Sequence, residues 1–243
     1  MLVFHVSTMN ISYFSPVKIS DKLTRDSLSA VARKYAAGRL IDLGCGTRPY
    51  EEIFRPHIES YFGVDFEPTA DRNYGGNTNA DLYRDCADTR LPEASFDTLL
   101  STQVIEHIYD TGKYLDECLR LLKPGGAGIF TAPLIWPCHS EPYDYYRFTR
   151  YSLEKIFRDR GFEIEELTAS GFSIATAAQL AVMAILGNTR GVPVRLFRRL
   201  ARVTLVPLIN LAAVFLNRFQ GEEALCLNYL IVVRKPRREP PAR

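Results

Sequence analysis

Eleven residues, Leu40-Ile41-Asp42-Leu43-Gly44-Cys45-Gly46-Thr47-Arg48-Pro49-Tyr50, restrict what this chain can fold into more than any other stretch. Leu40, Ile41 and Leu43 read as a strand covered on both faces. Gly44 and Gly46 allow a sharp turn, and they allow a ligand to approach where a Cβ would block it. Pro49 suits the first turn of a following helix. Strand, turn and helix N-terminus in this order make a crevice at the carboxyl end of a parallel sheet. Asp42 is expected beside that crevice, as an acceptor for a polar or cationic ligand. A second strand, Tyr61-Phe62-Gly63-Val64-Asp65, ends in an acid. Asp65 lies about 20 residues past the turn, where a nucleotide-binding βαβ unit carries its ribose-binding carboxylate.

Two families use this layout. Dinucleotide dehydrogenases need a third glycine to pack helix against strand and to face a pyrophosphate; here that position is Pro49. The stretch instead resembles motif I of the class I S-adenosylmethionine (SAM) dependent methyltransferases, Asp/Glu-x-Gly-x-Gly. Further along, Leu91-Pro92, Ser95-Phe96-Asp97, Glu106-His107 and Lys123-Pro124-Gly125-Gly126 follow in the order of that family's post-motif region. The resemblance runs from Leu40 to about Pro133 and extends more loosely to Leu167. It implies a Rossmann-like α/β fold: seven strands, mostly parallel, helices on both faces and an antiparallel last strand.

The hydropathy pattern agrees with one doubly wound domain over residues 1–243. A helix is expected over Asp21–Ala37, with Gly38 as its C′ residue. Strands are expected at Arg39–Leu43, Tyr61–Asp65, Ala80–Tyr83, Phe96–Ser101, Ala127–Ala132, Phe162–Leu167 and Cys226–Val233. Helices are expected at Pro49–Phe54, Thr111–Leu122 and Tyr151–Arg160, the last capped by Thr149. Lys123–Gly126 reads as a stop between helix and strand, and Glu67–Asn79 as a loop.

The resemblance assigns SAM as cofactor. Asp42, Gly44 and Gly46 match the turn that holds its methionine part. Asp65 matches the acid on the ribose hydroxyls, and Phe66 is positioned to pack on adenine. Asp85 or Asp88 stands near the place of the acid that meets the adenine amino group; Asp85 is preferred, and solvated loop acids remain the plain alternative. Gln103 matches a position that lines the cofactor near its sulfonium.

The segment after strand five, Pro133 to Thr149, crowds aromatic and titratable groups into a loop that faces the ligand crevice. A hydroxyl acceptor needs a general base within hydrogen-bond reach. His139 is the leading candidate by its near-neutral pKa, with Glu141 and Asp144 as alternatives. His107, Tyr143, Tyr146 and Arg147 are candidates for substrate contact, each with a purely structural alternative.

Composition sets outer limits. The 243-residue chain is 47% hydrophobic and 24% charged with a net charge of +2, ordinary for a globular protein and no case for nucleic acid. Its five cysteines and four histidines form no zinc spacing, so no metal and no disulfide is expected, and the thiols point to a cytoplasmic setting. The apolar start is too short for a signal peptide. Residues 1–20 read as an extension and 235–243 as a flexible basic tail.

Residues 169–222 form a helical insert before the last strand. Two apolar runs between Phe172 and Leu216 flank Gly187–Gly191 and the cluster Arg195, Arg198, Arg199 and Arg202. A helical hairpin is expected. Neither run reaches the roughly 18–20 residues of a membrane span. The hairpin is read as core or lid, as a homodimer face, or as a peripheral contact with the inner face of the membrane. The functional expectation is methyl transfer to a hydroxyl or amine of a small-molecule, lipid-linked or glycan-linked acceptor. The alternatives are a non-catalytic SAM-binding module whose insert docks a partner and, more remotely, an NAD-dependent dehydrogenase.

Overall fold

Seven strands build one sheet in the order β3-β2-β1-β4-β5-β7-β6. The computed structural model describes residues 12–68, 75, 78–186, 192–219 and 225–237, with only the backbone for 192–195. The strands are β1 (Arg39–Leu43), β2 (Ser60–Asp65), β3 (Leu82–Tyr83), β4 (Phe96–Thr102), β5 (Leu122–Pro133), β6 (Glu163–Ser170) and β7 (Asn228–Arg234). The pairs β1–β2, β1–β4, β2–β3 and β4–β5 are parallel, while β7 runs antiparallel to both β5 and β6. The chain order reverses between β1 and β4, and the carboxyl ends of those strands open the crevice expected of such a sheet.

Alternation along the strands divides the core into two layers. Ile41, Leu43, Leu99, Phe130 and Ile231 enter one cluster, covered by α3 (Thr111–Leu121) through Tyr114, Leu115 and Cys118 and by α4 (Arg150–Asp159) through Leu153 and Phe157. Leu40, Leu100, Ile129, Leu230 and Val232 enter the other, covered by Leu28, Val31 and Tyr35 of α1 (Lys18–Tyr35). Asp110 caps α3 by accepting from the Lys113 N–H at 2.9 Å. Thr149 caps α4 as the sequence predicts, and Ser152 completes a reciprocal capping box with it.

Several boundaries differ from expectation. Gly38 is not the C′ residue of α1, because Ala36 is already extended and its N–H returns to the Ala32 carbonyl. A Cβ on Gly38 would instead lie 2.4 Å from the Asp97 carboxylate, so close packing demands glycine there. Pro49 precedes the helix, since α2 covers only Glu51–Phe54 behind Tyr50. Lys123–Gly126 lies inside β5. The β4–β5 register slips between Phe96 and Thr98, and a Cβ on Gly126 would sit 2.9 Å from the Lys123 carbonyl. The segment is therefore a glycine-dependent irregularity of the strand.

The expected hairpin is three helices: α5 (Ser173–Leu186), α6 (Val192–Val203) and α7 (Leu205–Leu216). The break expected at Gly187–Gly191 and the side chain of Arg195 lie outside the described residues, as do 1–11 and 238–243. The unexpected break falls at Thr204. Pro207 lacks an N–H and its ring would clash with the Val203 carbonyl in a continuous helix. The Thr204 hydroxyl donates back to the Leu200 carbonyl at 2.8 Å, which also bends helices. Val182 and Leu186 of α5 pack on Val206 of α7. Gln179 and Asn210, both fully buried, hold the entering chain by donating to the carbonyls of Pro16, Tyr13 and Ser15.

Candidate functional site

The turn after β1 carries its own reason for glycine. Gly44 has φ +76°, and a Cβ there would meet the Val104 side chain at 2.3 Å. The Gly44 and Cys45 N–H groups both return to the Val64 carbonyl, which ties the turn to the end of β2. Asp65 closes the arrangement: one carboxylate oxygen accepts from the Gly46 N–H at 2.9 Å, the other from the Phe66 N–H at 2.8 Å. Burial pushes the Asp65 carboxyl up, and these two N–H groups oppose the shift. Each oxygen keeps a further lone pair.

A cleft of about 1090 Å³ opens over this turn. Of the residues expected to hold a cofactor, Gly44, Asp65, Phe66, Asp85 and Gln103 line it, whereas Gly46 and the alternative Asp88 do not. Asp85 is exposed, and one of its carboxylate oxygens accepts from the Ala87 N–H at 2.8 Å. Gln103 has φ +56° and is pinned through its backbone N–H and its side chain to Thr131. Trp136 and Met183, which the sequence did not single out, form further wall.

Asp42 differs from expectation. It is 3% exposed and lies beneath the turn, outside the cleft lining. One of its oxygens accepts from the Tyr61 hydroxyl, and the other has no partner. Burial raises its carboxyl from the ordinary 3.8 to about 7, against the Tyr61 hydrogen bond. A carboxyl whose folded-state pKa lies above its unfolded value favours the folded protein below the unfolded pKa. That contribution fades as pH rises from about 4 and is gone once pH has passed about 7. Asp42→Asn, which mimics the protonated acid, is therefore expected to gain stability relative to the wild type between pH 5 and pH 8. The gain should be on the order of a few kcal/mol in urea unfolding; an increment that does not change with pH would show that Asp42 is ionised throughout.

The loop after β5 is folded around one ion pair. Asp144 takes a two-pronged contact from Arg147 at 2.7 and 2.9 Å, and the same carboxylate accepts from the His139 N–H at 2.8 Å. Burial alone would raise its carboxyl, but Arg147 and this N–H hold it down at about 2. The other three Arg147 donors go to the carbonyls of Trp136, Pro137 and Tyr146. All five N–H groups are spent on the loop, so Arg147 braces it and offers no donor to a substrate. Tyr146 likewise turns away from the cleft, donating its hydroxyl to the Tyr109 carbonyl. Tyr143, Glu141, His107 and His139 do line the cleft, and Tyr143 meets Phe66 edge-on with ring centres 6.3 Å apart.

The two histidines, far apart in sequence, come together. Their rings meet edge to face at 4.6 Å. Nδ1 of His107 faces the Tyr143 carbonyl; Nδ1 of His139 lies 3.2 Å from the Pro137 carbonyl and 3.3 Å from Asp144. Carbonyl oxygens only accept, so each Nδ1 carries the proton and each Nε2 keeps a lone pair. Burial lowers both imidazoles, His107 to about 4, so both are neutral at pH 7. Beside them lies Glu106, fully buried, with no hydrogen-bond partner on either carboxylate oxygen and burial raising its carboxyl to about 8. In the sequence Glu106-His107 belongs to the methyltransferase resemblance, but nothing local gives Glu106 a role, because its burial depends on how the loop after β5 folds back.

Known proteins resemble this chain at several levels. A family model described as a methyltransferase domain matches residues 41–130. A probable S-adenosylmethionine-dependent methyltransferase of Mycolicibacterium smegmatis is 27% identical over 158 residues, covering 62% of this chain and 61% of that protein. A ubiquinone biosynthesis O-methyltransferase of Nitrobacter winogradskyi is 34% identical over 95 residues, 36% of each chain. These matches span less than two thirds of the relatives' own length. A crystal structure of a putative methyltransferase from Bacillus halodurans C-125 superposes with a TM-score of 0.55 at 14% identity, covering 87% of this chain and 98% of that one. At that identity the likeness concerns the fold alone.

Proposed function

We propose that this chain is a class I SAM-dependent methyltransferase, with SAM as methyl donor, and that it methylates a hydroxyl of a lipid-linked acceptor at an anionic membrane surface. The observation that carries this reading is the outer face of the insert. Leu196, Phe197, Leu200 and Val203 of α6 are exposed, Leu196 by 62%. On α7, Leu208, Leu211 and Phe215 are exposed at helical spacing, opposite the buried Val206, Asn210 and Ala213. Arg199 and Arg202 are exposed on another side of α6. A helix that turns both an apolar and a basic face to solvent has the pattern of one lying in a lipid interface. Met183 of the neighbouring α5 is part of the cleft wall, so such a surface would bring an acceptor to the cleft. Among the described residues no single helix is long and apolar enough to cross a membrane, while Leu196–Val203 and Leu205–Phe219 together, bent by 40°, reach that length and composition.

The residues at the cleft fit the cofactor: a buried acid with spare lone pairs at the end of β2, an aromatic ring beside it and a second acid at Asp85. Bound there, SAM supplies an electrophilic methyl group. Asp65 would accept from the ribose hydroxyls, Asp85 from the adenine amino group, and the Gly44–Gly46 turn would receive the methionine part. Nε2 of His139, held in its tautomer by Asp144 and the Pro137 carbonyl, would take the acceptor's proton. The name of the Nitrobacter relative supports an oxygen acceptor.

Vesicles of phosphatidylglycerol and phosphatidylcholine test the surface. The protein should sediment with them at low salt and be released as salt rises, because the attraction is screened over about 10 Å at 0.1 M. Changing Arg199 and Arg202 together to Gln should abolish sedimentation without altering the melting temperature. Incubation with methyl-labelled SAM and a bacterial lipid extract should place label in the organic phase. No retention on vesicles together with a dimeric mass in light scattering would make the apolar face a contact between copies. SAM binding without transfer to any acceptor would favour the non-catalytic module.

A further inference from the structure

We propose that Glu106, His107 and His139 form a binding site for a divalent transition cation such as Zn²⁺, at the inner end of the cleft. One donor atom from each lies within 4.8 Å of the donors of the other two, and Nε2 of His107 is 3.9 Å from Oε1 of Glu106. Bonds of about 2.0–2.2 Å in a tetrahedral arrangement put ligand atoms about 3.4 Å apart. Small side-chain rotations therefore close the set. The trio comes from two elements that meet only in the fold: the turn Ile105–His107 after β4 and the loop after β5.

Three independent features mark the cluster as a ligand set. The first is the orphan carboxylate. Glu106 is fully buried, and neither of its oxygens has a hydrogen-bond partner. A buried charged or polar group without a partner is costly, and coordination of a metal is one of the few ways to compensate it. Arg147 does not fill that role, because its five donors are already committed to Asp144 and three carbonyls.

The second feature is the orientation of the imidazoles. Metal-binding histidines hold one ring nitrogen in a hydrogen bond to a carbonyl or carboxylate, which fixes the tautomer and turns the other nitrogen to the metal. Here Nδ1 of His107 faces the Tyr143 carbonyl, and Nδ1 of His139 faces the Pro137 carbonyl with Asp144 at 3.3 Å. The third feature is the donor chemistry. Two imidazoles and one carboxylate are the donors of catalytic zinc sites and of other first-row divalent ions, and three protein ligands leave a position open. His107 and His139 line the cleft, so that open position faces the acceptor side.

The role of the site rests on the hydroxyl-acceptor reading, whereas the binding itself does not. A cation there would polarise the acceptor oxygen and lower the pKa of its hydroxyl. The imidazole lone pairs would then serve as ligands, and activation would pass from His139 to the cation.

The test uses the full chain freed of metals by dialysis against a chelator, then titrated with Zn²⁺ by calorimetry at pH 7.5. One saturable equivalent is expected. Glu106→Gln and His139→Gln should each weaken it by about 10-fold or more. Cys138→Ser, at the exposed thiol next to His139, should leave it unchanged. S-adenosylhomocysteine binding by the same samples reports on folding and on the cofactor site. Absence of saturable Zn²⁺ binding, or equal affinity in the Glu106→Gln and His139→Gln variants, overturns the proposal, as does loss confined to Cys138→Ser. Retained S-adenosylhomocysteine binding in such a sample means that the metal site fails and the cofactor site stands. Zn²⁺ binding without S-adenosylhomocysteine binding would fail the cofactor reading alone.

Discussion

In the protein freed of metal, His139→Ala is expected to lower turnover by about 10²–10⁴-fold, the range that a positioned general base supplies, while leaving SAM affinity close to that of the wild type. The two effects separate because the residues proposed for the cofactor sit at β1, β2 and the segment after β3, whereas His139 stands on the loop after β5. The proton on Nδ1 faces Asp144 at 3.3 Å and the Pro137 carbonyl at 3.2 Å, so Nε2 is the basic atom. Burial lowers the imidazole below its ordinary 6.5, outweighing the attraction of Asp144. A base must be unprotonated, so turnover should rise with pH through a value below 6.5 and stay flat across neutrality. His139→Ala should lose that limb along with the rate. Single-turnover measurements between pH 5 and pH 8 read both. Wild-type turnover in the variant would remove His139 from the chemistry and point to an acceptor that arrives deprotonated, such as a free amine.

Asp65→Ala is expected to weaken SAM binding by about 1–3 kcal/mol, roughly 5- to 150-fold, the cost of leaving buried hydroxyls without their acceptor. The fold adds a second consequence. Asp65 also accepts from the Gly46 and Phe66 N–H groups, so the substitution strips two donors of their partner and loosens the turn that frames the cleft. Part of the loss is therefore preorganisation, and Asp65→Asn, which keeps one acceptor oxygen, should fall between wild type and alanine. Calorimetry with S-adenosylhomocysteine measures the series, and NAD should not bind to any member. Unchanged affinity in Asp65→Ala would take Asp65 out of the cofactor site; NAD binding in place of S-adenosylhomocysteine would remove the methyltransferase reading itself.

Local signals were legible where local physics decides them. The β1 turn, the acid ending β2, the Thr149 cap and the amphipathic helix Thr111–Leu121 each depend on residues within a few positions of one another. Where a distant partner intervenes, the local reading fails. Gly38 reads locally as a helix terminator, but its neighbour across space is Asp97. Lys123–Gly126 reads locally as a stop, but pairing with the chain around Lys235 keeps it in the strand. For Arg147 the sequence leaves substrate contact and a structural role open, because nothing in it shows that three carbonyls and Asp144 absorb all its donors.

The amino-acid sequence by itself determined the architecture: apolar runs of strand length, glycines where the backbone must turn, and acids at the strand ends admit few arrangements other than this sheet. It also determined which loops face the crevice, since the carboxyl ends of parallel strands open onto it. Tertiary structure alone decided the roles within those loops. It buried Asp42 beneath the turn, brought His107 against His139 across 32 positions of chain, and left Glu106 without a partner beside them. Burial and pairing set whether a carboxyl is charged, which imidazole nitrogen bears a proton and which guanidinium donors remain. These quantities arise from atoms that approach only when the sheet closes, so they have no signature in the order of residues.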